Sequence, residues 1–248
     1  SILVKHRIPH IDASNCRTVL HPPMSYTYLP FGSADLDCYA ILQYIETTHK
    51  GSAPPGIGIL TTNDACGKSI HASSRAYAAN HSLQIVAVLQ FTPNTRDLKP
   101  VMLKLRDMGA EYIFMQCAPS DAMAALKSAD RINYNVPFFG AWTLADADFF
   151  NLEKNLIRNR LNVSFPGCLP GDSTSGINLI KMLMERYKSA SGFHTAYWEG
   201  VSVAAIMARA IQRAHETLGK IDGPTVNLAL ETFENEDFGE LIPNMTYT

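Results

Sequence analysis

The sequence predicts an α/β fold built on parallel sheets, and three observations carry that expectation. Apolar runs too short for helices, such as Ile57-Gly58-Ile59-Leu60, read as strands buried on both faces. A polar or glycine-containing loop follows each run, and a helical pattern follows the loop. This β-α-β-α order repeats with short connections, the arrangement that covers both faces of a parallel sheet with helices.

Taken in order, Ser1 to Lys5 reads as the tail of a helix and Ile8 to Ile11 as a short strand, with Ser14-Asn15-Cys16 as the loop after it. Tyr26 to Leu29 is a second strand, and Pro30-Phe31-Gly32-Ser33 a crossing or hinge. From Ala34 to His49, Leu36, Ala40, Ile41, Tyr44 and Ile45 follow helical spacing, and Gly51 to Gly56, with two prolines, ends that helix. Strand Gly56–Thr61 runs into Thr62-Asn63-Asp64, whose side chains bond their own backbone and stop a strand. Gly67 permits a tight bend or a close backbone approach before helix Lys68–Asn80. Strand Gln84–Leu89 leads through a loop to helix Leu98–Met108, where Pro100 suits the first turn. Strand Tyr112–Met115 precedes helix Asp121–Asp130, and strand Pro137–Gly140 precedes a short helix near Asp146–Leu152. Strand Leu161–Phe165, a Gly/Pro-rich loop and helix Ile177–Tyr187 close the series. Beyond Ser189 to Gly192 comes a long helix, about Thr195 to Leu218, with the stripe Val201, Ala204, Ala205, Ala208 and Ile211, then helix Gly223–Phe233.

The pattern therefore reads as one whole α/β lobe, roughly 34–190, with pieces of another at both ends. An unfinished lobe would expose a large apolar face, so the expectation is that Ser1 is not the biological N-terminus. The 248 residues are 46% hydrophobic and 18% charged, an ordinary globular composition. A net charge of -2 carries no nucleic-acid footprint. No apolar run approaches the roughly 20 residues of a membrane helix, and residue 1 starts in mid-pattern without a charged leader.

Chemistry has to come from the loops. Those at strand carboxyl ends are Ser14-Asn15-Cys16, Asn63-Asp64-Ala65-Cys66, Gln116-Cys117-Ala118-Pro119, Ala141-Trp142-Thr143 and Gly167-Cys168-Leu169-Pro170. Ligands of open parallel sheets sit outside such ends. Four of the five cysteines lie in these loops. A thiol or metal site, or a Cys66–Cys117 disulfide, stands against the plainer reading of cysteine as a small apolar lining residue. The odd number of cysteines leaves at least one thiol outside any internal disulfide, and no C-x-x-C occurs. His6 and His10 are four apart, but Pro9 breaks the helix that would pair them on a metal. No G-x-G-x-x-G follows a strand and no G-x-S-x-G occurs; Gly67-Lys68-Ser69 resembles a P-loop tail, but Thr62 stands where its first Gly is required. No catalytic residue, cofactor or metal site is assigned. Trp142, placed to face the sheet mouth, offers apolar contact and one N–H donor; the alternative is a core Trp under a helix.

In order and spacing these segments resemble the branched-chain amino-acid type of ABC-transporter substrate-binding proteins, the type I periplasmic binding fold. Asn63-Asp64-Ala65-Cys66-Gly67 is similar to that family's acidic-x-Tyr-Gly turn, with Cys66 in the aromatic's place. Phe91-Thr92-Pro93-Asn94-Thr95-Arg96-Asp97, Leu103-Lys104-Leu105-Arg106 and Gly109-Ala110-Glu111-Tyr112 resemble its next pattern. Tyr197-Trp198-Glu199-Gly200 leading to Ala208-Arg209-Ala210-Ile211 resembles the helix that returns to the first lobe. The resemblance implies two lobes closing on a small ligand, an amino acid or small carboxylate, delivered outside the cytoplasm to the membrane permease of an ABC importer. It implies a periplasmic or cell-surface protein whose precursor carries a signal peptide. It also implies that lobe 1 is incomplete here. Residues 1–31 would belong to lobe 1, 32–191 to lobe 2 and 192–234 to the return to lobe 1, with 235–248 a crossing or the start of a return to lobe 2. A monomer that binds no nucleic acid is expected.

The ligand residues so implied are Ser14, Asn15, Cys16, Asn63, Asp64, Cys66, Cys117, Ala118, Pro119 and Trp142. Ser14-Asn15-Cys16 would give hydroxyl and backbone N–H donors to a carboxylate. Two departures bear on specificity. Trp142 falls where amino-acid binders of the family carry the lobe-2 carboxylate that pairs the ligand ammonium, and Ala118 or Pro119 where they carry an aromatic. An ammonium would then meet Trp142 by a cation–π contact, or pair with Asp64 or Asp121; equally, the ligand carries no ammonium. Two other functions stay open: the ligand-sensing ectodomain of a receptor, and an enzyme on a doubly wound sheet, for which only fold-level analogy speaks.

Overall fold

The computed structural model describes residues 2–14, 16–20, 24–187 and 193–247. The chain divides into two compact units, Ser1–Gly32 with Pro166–Thr248, and Ser33–Phe165.

The first unit opens with α1 (Ile2–Lys5) and β1 (His10–Ile11), which pairs in parallel with β2 (Thr27–Tyr28), His10 opposite Thr27 and Ile11 opposite Tyr28. The second unit is a β-α series: α2 (Ala34–Thr48), β3 (Gly56–Thr62), α3 (Ala65–Ala78), β4 (Gln84–Phe91), α4 (Lys99–Asp107), β5 (Tyr112–Gln116), α5 (Pro119–Asp130), β6 (Phe138–Gly140), α6 (Ala147–Leu152), α7 (Lys154–Ile157) and β7 (Leu161–Val163). The chain then re-enters the first unit with α8 (Ser175–Arg186), α9 (Thr195–Leu218) and α10 (Gly223–Glu231).

The second unit holds a five-stranded, wholly parallel sheet in the order β4-β3-β5-β6-β7. Every residue of β3 is buried, as its unbroken apolar run predicts. Alternation sends Leu60, Ile113, Met115 and Phe138 into a core with Met102 and Leu105 of α4 and Ala122 and Leu126 of α5. Ile57, Ile59, Phe114 and Phe139 face the other way, onto Cys38, Ile41, Leu42 and Ile45 of α2 and Ile70 of α3. The phase of α2 differs from the one its sequence suggests. Leu36 and Tyr44 are more than half exposed, whereas Ala34, Asp35, Cys38, Ile41, Leu42 and Ile45 are buried. The helix is turned so that the polar residues of its first turn face inward.

In the first unit, Trp198 of α9 anchors the packing. Its ring stacks on Phe31, with centroids 4.5 Å apart, and its Nε1–H donates to the Leu241 carbonyl at 2.9 Å. A Cβ on Gly167 would come within 2.4 Å of that ring, so only glycine fits there. Arg209 and Arg213 of α9 both pair with Glu236. The division after Phe165 is earlier than the 191/192 boundary suggested by the sequence, because α8 packs with this unit. Its first residue, Ser175, donates to the Gly239 carbonyl, and a Cβ on Gly176 would lie 2.4 Å from the Leu241 backbone. Gly192, expected at a crossing, lies outside the described residues. The apolar stripe expected to bury α9 runs elsewhere: Trp198, Ser202, Ile206, Ala210 and Ala214 are the buried positions. Val201, Ala204, Ala205 and Ala208 instead line a groove of about 510 Å³ with Leu179 and Leu183 of α8.

Candidate functional site

Parallel register brings the loops of the second unit to one edge. Thr61 is opposite Gln116, Met115 is opposite Gly140, and Gly140 is opposite Val163. Asn63, Asp64 and Cys66 therefore follow the end of β3, Cys117, Ala118 and Pro119 the end of β5, and Trp142 the end of β6. Ser14 and Cys16 follow β1 in the other unit, and Asn15 lies outside the described residues. The Ser14 hydroxyl is buried without a hydrogen-bond partner, and its backbone N–H donates to Asp12 at 2.8 Å.

Local capping explains how the edge is held. The Asp64 carboxylate accepts the Gly67 N–H at 2.9 Å and the Thr62 hydroxyl, so α3 starts at Ala65, three residues before the sequence suggests. A Cβ on Gly67 would sit 2.1 Å from the Thr62 carbonyl oxygen, so glycine is what lets the first turn of α3 close against β3. Asp121, almost fully buried, accepts the Asn94 N–H at 2.8 Å. The two carboxylates considered as partners for a ligand ammonium are thus both engaged by local backbone.

The cysteine readings change as well. Cys117 is a buried free thiol, so a Cys66–Cys117 disulfide is not formed. Burial, with Asp121 nearby, pushes its thiol well above the ordinary range. Burial pushes up Cys38 and Cys168 in the same way. Nucleophilic or metal chemistry needs thiolates, and these three are held neutral. Trp142 begins a 3-10 turn and is only 4% exposed, whereas Ala118 is exposed and Pro119 half-buried.

The residues that sequence reasoning missed are the polar ones at this edge. Asp37, in the first turn of α2, reaches the end of β7. It accepts the Ser164 hydroxyl at 3.0 Å on Oδ1. Its Oδ2 is buried without a partner. Burial raises its carboxyl to about 7, with the bond from Ser164 opposing the rise. Thr61 Oγ1, Gln116 Oε1 and Thr143 Oγ1 are also buried without a partner. Strand alternation puts Thr61 and Gln116 on the α2 face, above Ile59 and Phe114. Buried polar groups are nearly always hydrogen-bonded, so a cluster of exceptions calls for an explanation. The sequence held one usable signal: Asp35 and Asp37 break the apolar pattern of α2 at the end nearest the strand termini. Asp35 is satisfied, with both oxygens 3.0 Å from the Ser69 hydroxyl.

A cavity of about 320 Å³, lined by Phe150, Lys154, Ile157, Arg158, Asn159 and Leu161, lies at the opposite, amino end of β7. It gathers none of the unpartnered polar atoms.

The family model described as periplasmic binding protein matches residues 1–243. The chain belongs to the periplasmic binding protein family. Among solved structures, this family member is similar to a branched chain amino acid ABC transporter protein from Thermus thermophilus with bound valine. The two are 24% identical with a TM-score of 0.80, over 94% of this chain and 61% of that one. It is also similar to a fatty acid ABC transporter substrate-binding protein from Thermomonospora curvata, at 16% identity and TM-score 0.78, over 89% of this chain and 56% of that one. A third match is a substrate-binding periplasmic protein from Ralstonia solanacearum, at 20% identity and TM-score 0.77, over 99% and 70%. No curated protein sequence matches. The fold is that of type I periplasmic binding proteins, with parallel sheets flanked by helices, and the chain spans about three fifths of the first two structures' length. No helix among the described residues is long and apolar enough to cross a membrane.

Proposed function

We propose that this periplasmic binding protein captures a small amino acid or small carboxylate outside the cytoplasm for the permease of an ABC importer. The ligand is held at the carboxyl edge of the five-stranded sheet. Asn63, Asp64, Cys66, Cys117, Ala118, Pro119 and Trp142 surround the proposed position. One observation carries the reading: unpartnered buried polar atoms, Thr61 Oγ1, Gln116 Oε1, Thr143 Oγ1 and Asp37 Oδ2, gather at this edge. Small-ligand sites are mostly apolar with a few placed polar groups. Trp142 supplies the apolar wall. Membership of a family of periplasmic binding proteins supports capture rather than turnover. Small molecules released from the purified protein by denaturation, identified by mass spectrometry, test the proposal. A stoichiometric small acid or amino acid is expected; a nucleotide or sugar phosphate would overturn the ligand class.

A further inference from the structure

We infer that the cavity at the amino end of β7 is a second binding site, for a small amphipathic anion with an apolar body and one carboxylate. It lies within the second unit, at the other end of the sheet from the proposed ligand position, and the inference does not rest on the solute-binding reading. Three observations carry it. The floor is apolar and firmly held: Ile157 and Leu161 are buried members of the core, and Phe150 packs on that core beside Phe149, with ring centroids 5.7 Å apart. The wall is cationic: Lys154 and Arg158 both line the cavity, and no carboxylate among the described residues does. The nearby acids are spent on other cations, Glu153 on Lys127 at 2.8 Å and Asp130 on Arg160 at 3.3 Å, so neither Lys154 nor Arg158 has an ion-pair partner among the described residues.

The single turn of α7 explains why the two charges meet. The Arg158 N–H donates to the Lys154 carbonyl at 2.9 Å, which sets residues 154 and 158 one above the other. Asn159 follows in the left-handed region, φ 64°, which asparagine tolerates, and lines the same cavity. Like charges four apart on a helix repel, and an anion between them replaces one repulsion with two attractions. A bare anion would gain little from solvated surface cations. A purely apolar molecule would cover the floor and leave the cations unpaired. A molecule carrying both features satisfies both. At about 320 Å³ the cavity is at the small end of ligand pockets, so the ligand is small.

The test titrates octanoate, octan-1-ol, octylamine and butanoate into the full chain at pH 7.5 and low salt, by isothermal titration calorimetry. Octanoate should bind about tenfold or more tightly than each of the others: the alcohol lacks the charge, the amine reverses it, and butanoate lacks the apolar body. Lys154→Gln/Arg158→Gln, a change at two exposed positions, should weaken octanoate about tenfold and leave octan-1-ol unchanged. Small carboxylates are also proposed for the carboxyl edge, so hydrogen exchange read by mass spectrometry locates the octanoate. Protection is expected in peptides spanning 147–161 and not in those spanning 61–67 or 140–144. Octanoate that ignores the double substitution, that protects only the carboxyl edge, or that does not bind would overturn the inference and leave the solute-binding reading standing. Octan-1-ol binding as tightly as octanoate would overturn it by showing an apolar surface that does not read charge. Binding to phosphatidylglycerol vesicles without affinity for free octanoate would overturn it in favour of a lipid surface.

Discussion

A carboxyl that keeps its proton in the folded chain makes stability depend on pH. Asp37 titrates at about 7 here, against roughly 3.9 in an unfolded chain. Between those values the folded state binds a proton that the unfolded state has released. Stability therefore falls as pH rises through the window and levels off above it. Asp37→Asn should leave the thermal midpoint near wild type at pH 4 and raise it at pH 8 by about 2 °C or more, the shift that ~1 kcal/mol gives a chain of this size. Circular dichroism melts at both pH values check this, and an effect of equal size at both would contradict it. Trp142 needs a different treatment, because its ring is buried. Trp142→Ala should cost about 3–5 kcal/mol in stability, visible as a large drop in midpoint, so lost binding in that variant would say little about contact. Trp142→Phe keeps most of the volume and is the informative change. At this scale the sequence revealed the loops but not the chemistry. Asn63, Cys66, Ala118 and Trp142 could be placed because they follow strands. Asp37, Thr61 and Gln116 could not, because their importance lies in partners they do not have, and a sequence does not display those.

Among the elements, α3 governs how the edge is presented. Asp64→Ala removes the cap that accepts from Gly67 and should destabilise by about 1 kcal/mol, a midpoint loss of about 2–4 °C, while Asp64→Asn should recover most of it. Gly67→Ala should be worse, because its Cβ meets backbone, 2.1 Å from the Thr62 oxygen, rather than a side chain that can yield. A neutral Gly67→Ala in urea unfolding would mean that α3 does not close so tightly on β3. Element type and order were legible because strand runs and helix runs differ in period. Helix phase was less so. In α2 the buried set includes Asp35 in place of Leu36, and in α9 the alanine stripe faces a groove. In both cases tertiary packing overrode the apolar count, and in α2 the override carries the acids to the site.

For the whole molecule, a bound ligand should stabilise the chain by mass action, about 2.7 kcal/mol at a hundred times the dissociation constant. The tightest binder among small amino acids and small carboxylates should raise the midpoint accordingly. The family was legible from ordered segments such as Asn63-Asp64-Ala65-Cys66-Gly67, which no single residue identifies alone. The boundary after Phe165 was not, since it depends on α8 docking against residues 239–241, far along the chain. The chain's two tryptophans can report on where the ligand sits. Trp142 lies at the proposed edge, and Trp198 is buried in α9 of the other unit. Intrinsic fluorescence should be recorded while the tightest binder among small amino acids and small carboxylates is titrated into wild type, Trp142→Phe and Trp198→Phe. A saturable change is expected in wild type that survives in Trp198→Phe and is lost in Trp142→Phe. A change that persists in Trp142→Phe and vanishes in Trp198→Phe would place the ligand away from the carboxyl edge of this sheet and contradict it.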